Sequence, residues 1–406
     1  MGERRPAIIV FSTLFPHSGL PGAGLFIRER MFRVARELPL VVVSPKPWFP
    51  GQGLIRRLRP GFRPPAPRRE LQQGIEIHFP RFLALPGVLR RWDGFSMALS
   101  SYRLLRRLRR QGYDLIDAHF AYPDGYAATF LGRWLGLPVT ITLRGTEIPH
   151  SRKPPLRRRL VRALDRADHV FAVSGSLKAH AVALGVPERK IQVVGNGVDV
   201  EKFHPVSRDA ARKELGLPAD VPVLITVGGL VERKGFHRVI ELLPALRRKH
   251  PGLCYLVVGG PSPEGDWSDR LREQVANLGL QEAVRFLGPI EPMRLKVPLS
   301  AADLFVLATR NEGWANVFLE AMACGLPVVT TDVGGNREVV RDDSLGRVVP
   351  FGDASALERA IDEALQTPWD RRAIMAYARE NSWDKRVDQL VEAFQRVRAG
   401  YRKNTS

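Results

Sequence analysis

Short apolar runs rich in valine and isoleucine, each followed by a longer stretch of helical periodicity, recur along almost the whole chain. Runs of this length that are apolar on both faces belong inside a parallel sheet, with helices covering it. In the first half they are AIIVFS, LPLVVVSP, IEIHFP, YDLIDAHF, PVTITLRG, HVFAVS and IQVVGNG. In the second half they are PVLITVGG, CYLVVGG, AVRFLGP, DLFVLAT, PVVTTD and GRVVP. The series restarts near residue 221, after DVEKFHPVSRDAARKELGLPADVP, which reads as a linker. The expected fold class is therefore α/β, with two doubly wound domains and a ligand cleft between them at the carboxyl ends of the strands. Residues 51–73, dense in proline, glycine and arginine, read as a mobile insertion. The last segment carries Val387, Leu390, Val391 and Phe394 on one stripe, the pattern of a helix with a single buried face.

Two domains also suit a chain of 406 residues, which exceeds what one core supports. Hydrophobic residues at 44% and charged residues at 26% exclude a disordered or fibrous chain. Cys254 and Cys324 sit in apolar contexts and cannot build a disulfide framework. The opening MGERRPAIIVFSTLF has the charge of a secretory leader, but no small-residue cleavage site follows and AIIVFS reads as a strand.

Charge is distributed very unevenly. Residues 1–205 hold 34 Lys and Arg against 15 Asp and Glu, whereas residues 206–406 hold 28 against 27. The excess lies in three clusters, Arg56–Arg69, Arg103–Arg110 and Arg152–Arg162. Such a surface attracts anionic phospholipid or the phosphates of nucleic acid. A binder of single-stranded nucleic acid would interleave aromatic residues for stacking, and these clusters contain mostly leucine and proline, so nucleic acid is not an expected partner. In RRWDGFSMALSSYRLLRRLRR basic and apolar positions mix at helical spacing, which fits a membrane-surface helix and equally a core helix with a wet basic face.

The second series opens with VLITVGGLVERKGFHRVIELL: a strand, a glycine pair, a loop with two cations, then a helix. Gly228 and Gly229 would let the backbone approach a ligand. Arg233 and Lys234 stand just before a helix start, and two cations beside unpaired helix N–H groups suit a diphosphate. Alone, they read equally as a surface turn with solvated charges. No Walker spacing and no GxGxxG after the first strand are present, so P-loop NTPase and nicotinamide readings lack their signature. Downstream, RNEGWANVFLEAMACGLPVVTTDVGGNREVV places Glu312 in a strand-to-helix loop and Glu320 in the following helix, so both can face one ligand lying across the helix N-terminus.

On these residues the sequence resembles the GT-B glycosyltransferases, specifically the retaining enzymes of family 4. The glutamate pair in NEGWANVFLEAMACGLPVV is that family's signature, and GGLVERKG, VSGSLKAHAVALGV and VVGNGVDVEKFHP also match. LFPHSGLPGAGLFIRER, HFAYPDGYAA and LRGTEI are similar to the TuaC-type branch, which serves surface-polysaccharide synthesis.

The resemblance implies two Rossmann-like domains, 1–205 for the acceptor and 206–380 for the nucleotide-sugar, with a helix over 381–406 returning to the first. It implies that Arg233 and Lys234 bind the donor diphosphate in place of a metal, that Glu320 holds the ribose, and that Glu312 lies by the donor sugar. Gly313, Ala315, Asn316 and Val317 would meet sugar and phosphate oxygens through the backbone, and Gly259 would approach the nucleotide. Gly22 and Gly24, in GLPGAGLF, would approach donor or acceptor. His119 would face the cleft, holding the donor sugar or steering the acceptor. Many members have His-Gly where this chain has Arg144 and Gly145, so Arg144 would contact a phosphate-bearing acceptor or pair with Glu147. The implied reaction needs no cofactor and no metal. It takes a UDP-sugar and a lipid-linked or polysaccharide acceptor at the inner face of the cytoplasmic membrane, held there by anionic lipid. A GT-B enzyme with a soluble acceptor, of the sugar-phosphate synthase type, is the alternative.

Overall fold

The computed structural model describes residues 5–58, 62–85, 92–262 and 264–405, which leaves Arg59, Arg90 and Arg91 of the basic segments outside the described residues. The chain divides into two units: Met1–Asn196 with Asp384–Ser406, and Gly197–Trp383. Each is an α/β unit around its own sheet.

The strands of the first unit are β1 (Ile8–Phe11), β2 (Leu40–Val43), β3 (Lys46–Trp48), β4 (Arg69–Gln72), β5 (Ile75–His78), β6 (Arg81–Leu83), β7 (Leu115–His119), β8 (Val139–Leu143), β9 (His169–Ala172) and β10 (Ile191–Val193). Eight form one sheet in the order β10-β9-β8-β7-β1-β2-β5-β4, parallel except at the β4–β5 edge. β1, β2, β7 and β8 are buried along their whole length, as strands covered on both faces must be. The turn between β4 and β5 is two residues long, Gln73 and Gly74, both at positive φ, the backbone that joins tight hairpins. The insertion expected over residues 51–73 thus has regular structure: a helix (Gln52–Leu58) and β4, with β3 and β6 pairing beside it as a separate parallel ribbon.

In the second unit β11 (Val223–Val227), β12 (Cys254–Val258), β13 (Val284–Gly288), β14 (Leu304–Leu307), β15 (Val328–Thr331) and β16 (Gly346–Val349) make an all-parallel sheet ordered β13-β12-β11-β14-β15-β16. The segment read as a linker belongs to this unit. Val198, Phe203, Ala211 and Leu217 join its core. Buried Arg212, in the helix Arg208–Glu214, donates to the carbonyls of Ala301 (3.0 Å), Pro218 (3.0 Å) and Val221 (2.9 Å) and to Asp303 (2.8 Å). A guanidinium with this many acceptors anchors its segment, so the junctions fall at Asn196 and Trp383 rather than at 205 and 380.

The last helix, Trp383–Thr405, packs on the first unit: Val387, Leu390, Ala393 and Phe394 lie in a cluster with Ile8, Val10, Ile27 and Phe171. No helix among the described residues is long and apolar enough to cross a bilayer.

Candidate functional site

In an open parallel sheet, ligands sit where the strand order reverses, outside the carboxyl ends of the strands. In the second unit that point lies between β11 and β14, and the loops after these strands carry Arg233, Lys234 and Glu312. After β11, a short turn (Glu232–Lys234) leads through Gly235 into the helix Phe236–Lys249. A Cβ on Gly235 would stand 1.9 Å from the Ala308 carbonyl oxygen, which shows how closely the two loops abut. The Arg233 carbonyl accepts from Arg310 N (2.8 Å) and from Thr309 Oγ1 (3.1 Å), locking the loops together.

The two cations converge on one carboxylate. Glu312 Oε1 accepts from Arg233 Nη1 at 2.9 Å and from Lys234 Nζ. Arg233 is gripped further by Glu264, through Nε (2.8 Å) and Nη2 (2.6 Å), and Nη1 also donates to the Asn311 carbonyl (2.8 Å). These bonds, Glu264 first, hold the Arg233 guanidinium above its ordinary pKa. Lys234 spends only one of its three donors on Glu312 and retains the means to bind an anion. Glu264 sits in the loop after β12 with no motif around it in the sequence, and only the fold brings it to Arg233.

The helix Asn316–Ala323 starts beside this cluster, with no side-chain cap at Ala315 and no acidic residue in its first turn, so the positive end of its dipole favours an anion there. Gly313, Ala315, Asn316 and Val317 form that approach, and the indole Nε1 of neighbouring Trp314 is buried without an acceptor. Glu320 lies one turn further on, partly exposed. Of the glycines expected near a ligand, Gly259 has a structural reason of its own: at φ 146°, a Cβ there would fall 1.8 Å from the Gly228 carbonyl oxygen. Gly228 and Gly229 stand at the mouth of the site, against the stem of Lys234 and against Ser262.

In the first unit the sheet order reverses between β1 and β7. Gly22 and Gly24 lie in the loop after β1; Gly22 faces open space, whereas Gly24 abuts the Leu14 carbonyl. His119 ends β7, where sequence reading expected it to meet a ligand, but its ring is fully buried. Arg144 covers it, donating to His119 Nδ1 from Nε (3.1 Å) and Nη2 (3.0 Å). Nδ1 is therefore the acceptor and Nε2 carries the proton, 3.3 Å from Asp117 Oδ2 but too poorly aligned for a hydrogen bond. Burial first, and the Arg144 charge second, push the imidazole down to about 4. The face that His119 would offer a ligand is occupied by the guanidinium of Arg144, a half-buried residue, which reaches Asn196 Oδ1 (3.4 Å) and lies over the Phe26 ring at 5.0 Å.

Glu147 does not pair with the Arg144 guanidinium. Its buried carboxylate accepts three backbone N–H groups, from Ala121 (3.1 Å), Arg144 (3.1 Å) and Gly145 (2.8 Å). It thereby holds the sharp exit from β7, where Phe120 adopts φ 73°.

Two Rossmann-like sheets and a last helix that docks on the first unit define a GT-B fold. Sucrose-phosphate synthase from Thermosynechococcus elongatus superimposes with a TM-score of 0.77 at 22% identity, covering 98% of this chain and 100% of that one. Anabaena HepE, in complex with UDP and glucose, superimposes at 0.73 and 20% identity over 96% and 99%. Residues 207–382 match the model for glycosyl transferases group 1, and residues 53–202 match that for glycosyltransferase family 4. The teichuronic acid biosynthesis glycosyltransferase TuaC of Bacillus subtilis is 29% identical over 335 residues, 81% of each chain. A D-inositol 3-phosphate glycosyltransferase of Corynebacterium urealyticum is 33% identical over 303 residues, 70% of this chain and 71% of its own. The chain belongs to the family 4 glycosyltransferases and is an enzyme of sugar transfer.

Proposed function

We propose that the enzyme takes a sugar from a nucleotide-sugar, a UDP-sugar, and transfers it with retention to a lipid-linked or polysaccharide acceptor at an anionic membrane face. The observation that carries the donor half is the convergence of Arg233 and Lys234 at the switch point of the second unit, beside an uncapped helix start. In the reaction, the bond from the anomeric carbon to the terminal phosphate oxygen breaks. The acceptor oxygen bonds to that carbon on the same face, and its proton passes to the departing diphosphate. Lys234 and Arg233 meet the charge that develops there, the work a divalent ion does elsewhere, so no metal is required. Glu312 keeps both cations in place until the donor arrives and then lies by its sugar; Glu320 accepts from the ribose. The UDP and glucose carried by the HepE neighbour support this assignment of the donor class. A thermal-shift screen of nucleotide sugars tests it: a UDP-sugar raises the melting temperature of the wild type and raises it far less in Lys234→Ala, because only a ligand of the folded state stabilises by mass action. No response to any nucleotide sugar overturns the donor assignment.

The acceptor half rests on the first unit. Along the helix Asp93–Arg110, whose inner stripe is Met97, Ala98, Leu105 and Leu108, the outer face runs from Phe95 and Leu99 to Arg103, Arg106 and Arg110. Trp134 meets Phe95 and Tyr102 edge to face, and Trp92 and Leu99 are 54% and 63% exposed. An apolar, aromatic patch continuing into arginines matches the headgroup region of a bilayer. Flotation with acidic vesicles at low salt, lost with neutral vesicles, is the expected result; equal behaviour with both refutes the membrane assignment.

A second reading has its own support. Arg144 and buried Arg30 place two guanidinium groups at the switch point of the first unit, both held below their ordinary pKa by burial, and relatives are named for D-inositol 3-phosphate. A soluble, phosphate-bearing acceptor would suit that site, and turnover on one without lipid would favour this reading.

A further inference from the structure

The first unit holds a cavity of about 410 Å³ between the β3–β6 ribbon, the helix Gln52–Leu58 and the segment 63–66, bordered by Thr13, His17 and Leu20 of the loop after β1. That volume lies within the range of about 300–1,000 Å³ typical of small-ligand pockets. Its lining is strongly one-signed: Lys46, Arg56, Arg63 and Arg81 contribute four cations, and no carboxylate among the described residues lines it.

The donors in this cavity are only partly used by the protein. Lys46 Nζ donates to the carbonyls of Thr13 (3.0 Å) and Phe15 (3.3 Å), which leaves one of its three protons. Arg56 spends Nε and Nη2 on the Arg63 carbonyl, at 2.9 and 2.6 Å, with Nη1 uncommitted among the described residues. The Arg81 side chain is exposed and makes no hydrogen bond or ion pair among the described residues. Gln52 is the telling member. It is 3% exposed, its Oε1 has no hydrogen-bond partner, and no hydrogen bond to its side chain occurs among the described residues. A buried amide that the protein leaves unsatisfied is costly unless something else satisfies it.

The walls are apolar and flat. Trp48 is 39% exposed and stands with Pro47, Pro64 and Pro65, while Phe79 lies 5.3 Å from Lys46 Nζ. An indole face suits the C–H face of a sugar ring, whose hydrogens are slightly positive against the π-cloud.

We propose that this cavity is a subsite for an acidic sugar: a pyranose bearing a carboxylate or phosphate, with its ring on Trp48, its anion on Arg56 and Arg81, and its hydroxyls on Gln52 and Lys46. It rests on the reading of the acceptor as a glycan and names the chemistry of that glycan. Its proposed contacts, Lys46, Trp48, Gln52, Arg56 and Arg81, lie in the first unit, whereas Lys234 and Glu312 lie in the second, so it can be tested without the donor.

The test is binding of trigalacturonate to the full chain by calorimetry, against its methyl ester, which removes the charge but keeps the rings. The acid should bind at least about tenfold more tightly than the ester. Arg81→Ala and Gln52→Leu should each reduce that binding about tenfold, while the thermal shift given by UDP-sugars stays as in the wild type. Arg81 is on the surface and Leu fills the volume of Gln52, so neither change threatens the fold. Equal binding of acid and ester, or full retention in both variants, overturns the proposal. So does an outcome in which the variants lose only flotation with phosphatidylglycerol vesicles, which would assign the cavity to a lipid phosphate. Loss of the nucleotide response in the wild type would instead strike at the donor assignment and leave this one standing.

Discussion

His119 offers the sharpest test of the first-unit site, because its environment converts into a measurable energy. Enclosed in the protein and bonded by Arg144, the imidazole sits at about 4 instead of the usual 6.5. The neutral ring is the form the folded chain prefers, so the unfolded chain binds a proton that the folded one refuses between those two values. The stability this provides is complete above pH 6.5 and is lost as pH falls through 6.5 towards 4. At about 1.4 kcal/mol per pH unit, the loss between pH 7 and pH 4.5 comes to about 2 to 3 kcal/mol. His119→Asn retains a polar acceptor for Arg144 and lacks the titration. Denaturant unfolding of both proteins at the two pH values should show the wild type losing about 2 to 3 kcal/mol more than the variant. Histidine-labelled NMR should put the His119 midpoint near pH 4, with the variant assigning the resonance. A midpoint near 6.5, or parallel pH dependences, would refute the burial of His119 beneath Arg144.

Five other outcomes are expected. Lys234→Ala should lower kcat about 10²- to 10³-fold, the usual effect of removing one preorganised group from a developing anion, and wild-type turnover would remove Lys234 from the reaction. Glu312→Gln should behave differently, binding UDP at least as tightly as the wild type by calorimetry while turnover falls, since the diphosphate no longer competes with a carboxylate for the two cations. Glu147→Ala strands three backbone N–H groups at about 1–3 kcal/mol each, so loss of the folded state, seen as a large fall in Tm, should precede any change in acceptor choice. Phe394→Ala, in the stripe that docks the last helix beside Phe171, should cost about 3–5 kcal/mol in unfolding experiments. Activity in excess EDTA should match that without it; loss restored by magnesium would contradict cation-based leaving-group stabilisation.

Every strand of the two main sheets except β4 was legible as an apolar run, because a strand buried on both faces writes its burial directly into composition. β3, β4 and β6 escaped notice: they are short, carry charged residues such as Lys46, Arg69 and Arg81, and are strands only because a neighbour offers hydrogen bonds. Residues 199–222 read as a linker for a related reason, since one buried arginine, Arg212, ties this polar stretch to Ala301 and Asp303 far along the chain. Local spacing brought Arg233, Lys234, Glu312 and Glu320 into view as candidates, because loop-and-helix context is written in consecutive residues.

What the sequence determined by itself was the α/β architecture, the unequal charge of the halves and the identity of the cationic pair, all properties of neighbours along the chain. What only the tertiary structure decided was who those residues meet. Glu312 and Glu264 clamp the cations, Arg144 seals His119, Glu147 serves the backbone, and Gln52 is buried with its amide unpaired. Partners separated by dozens of residues come together only when strand order sets which loops are adjacent, and no local pattern encodes that order.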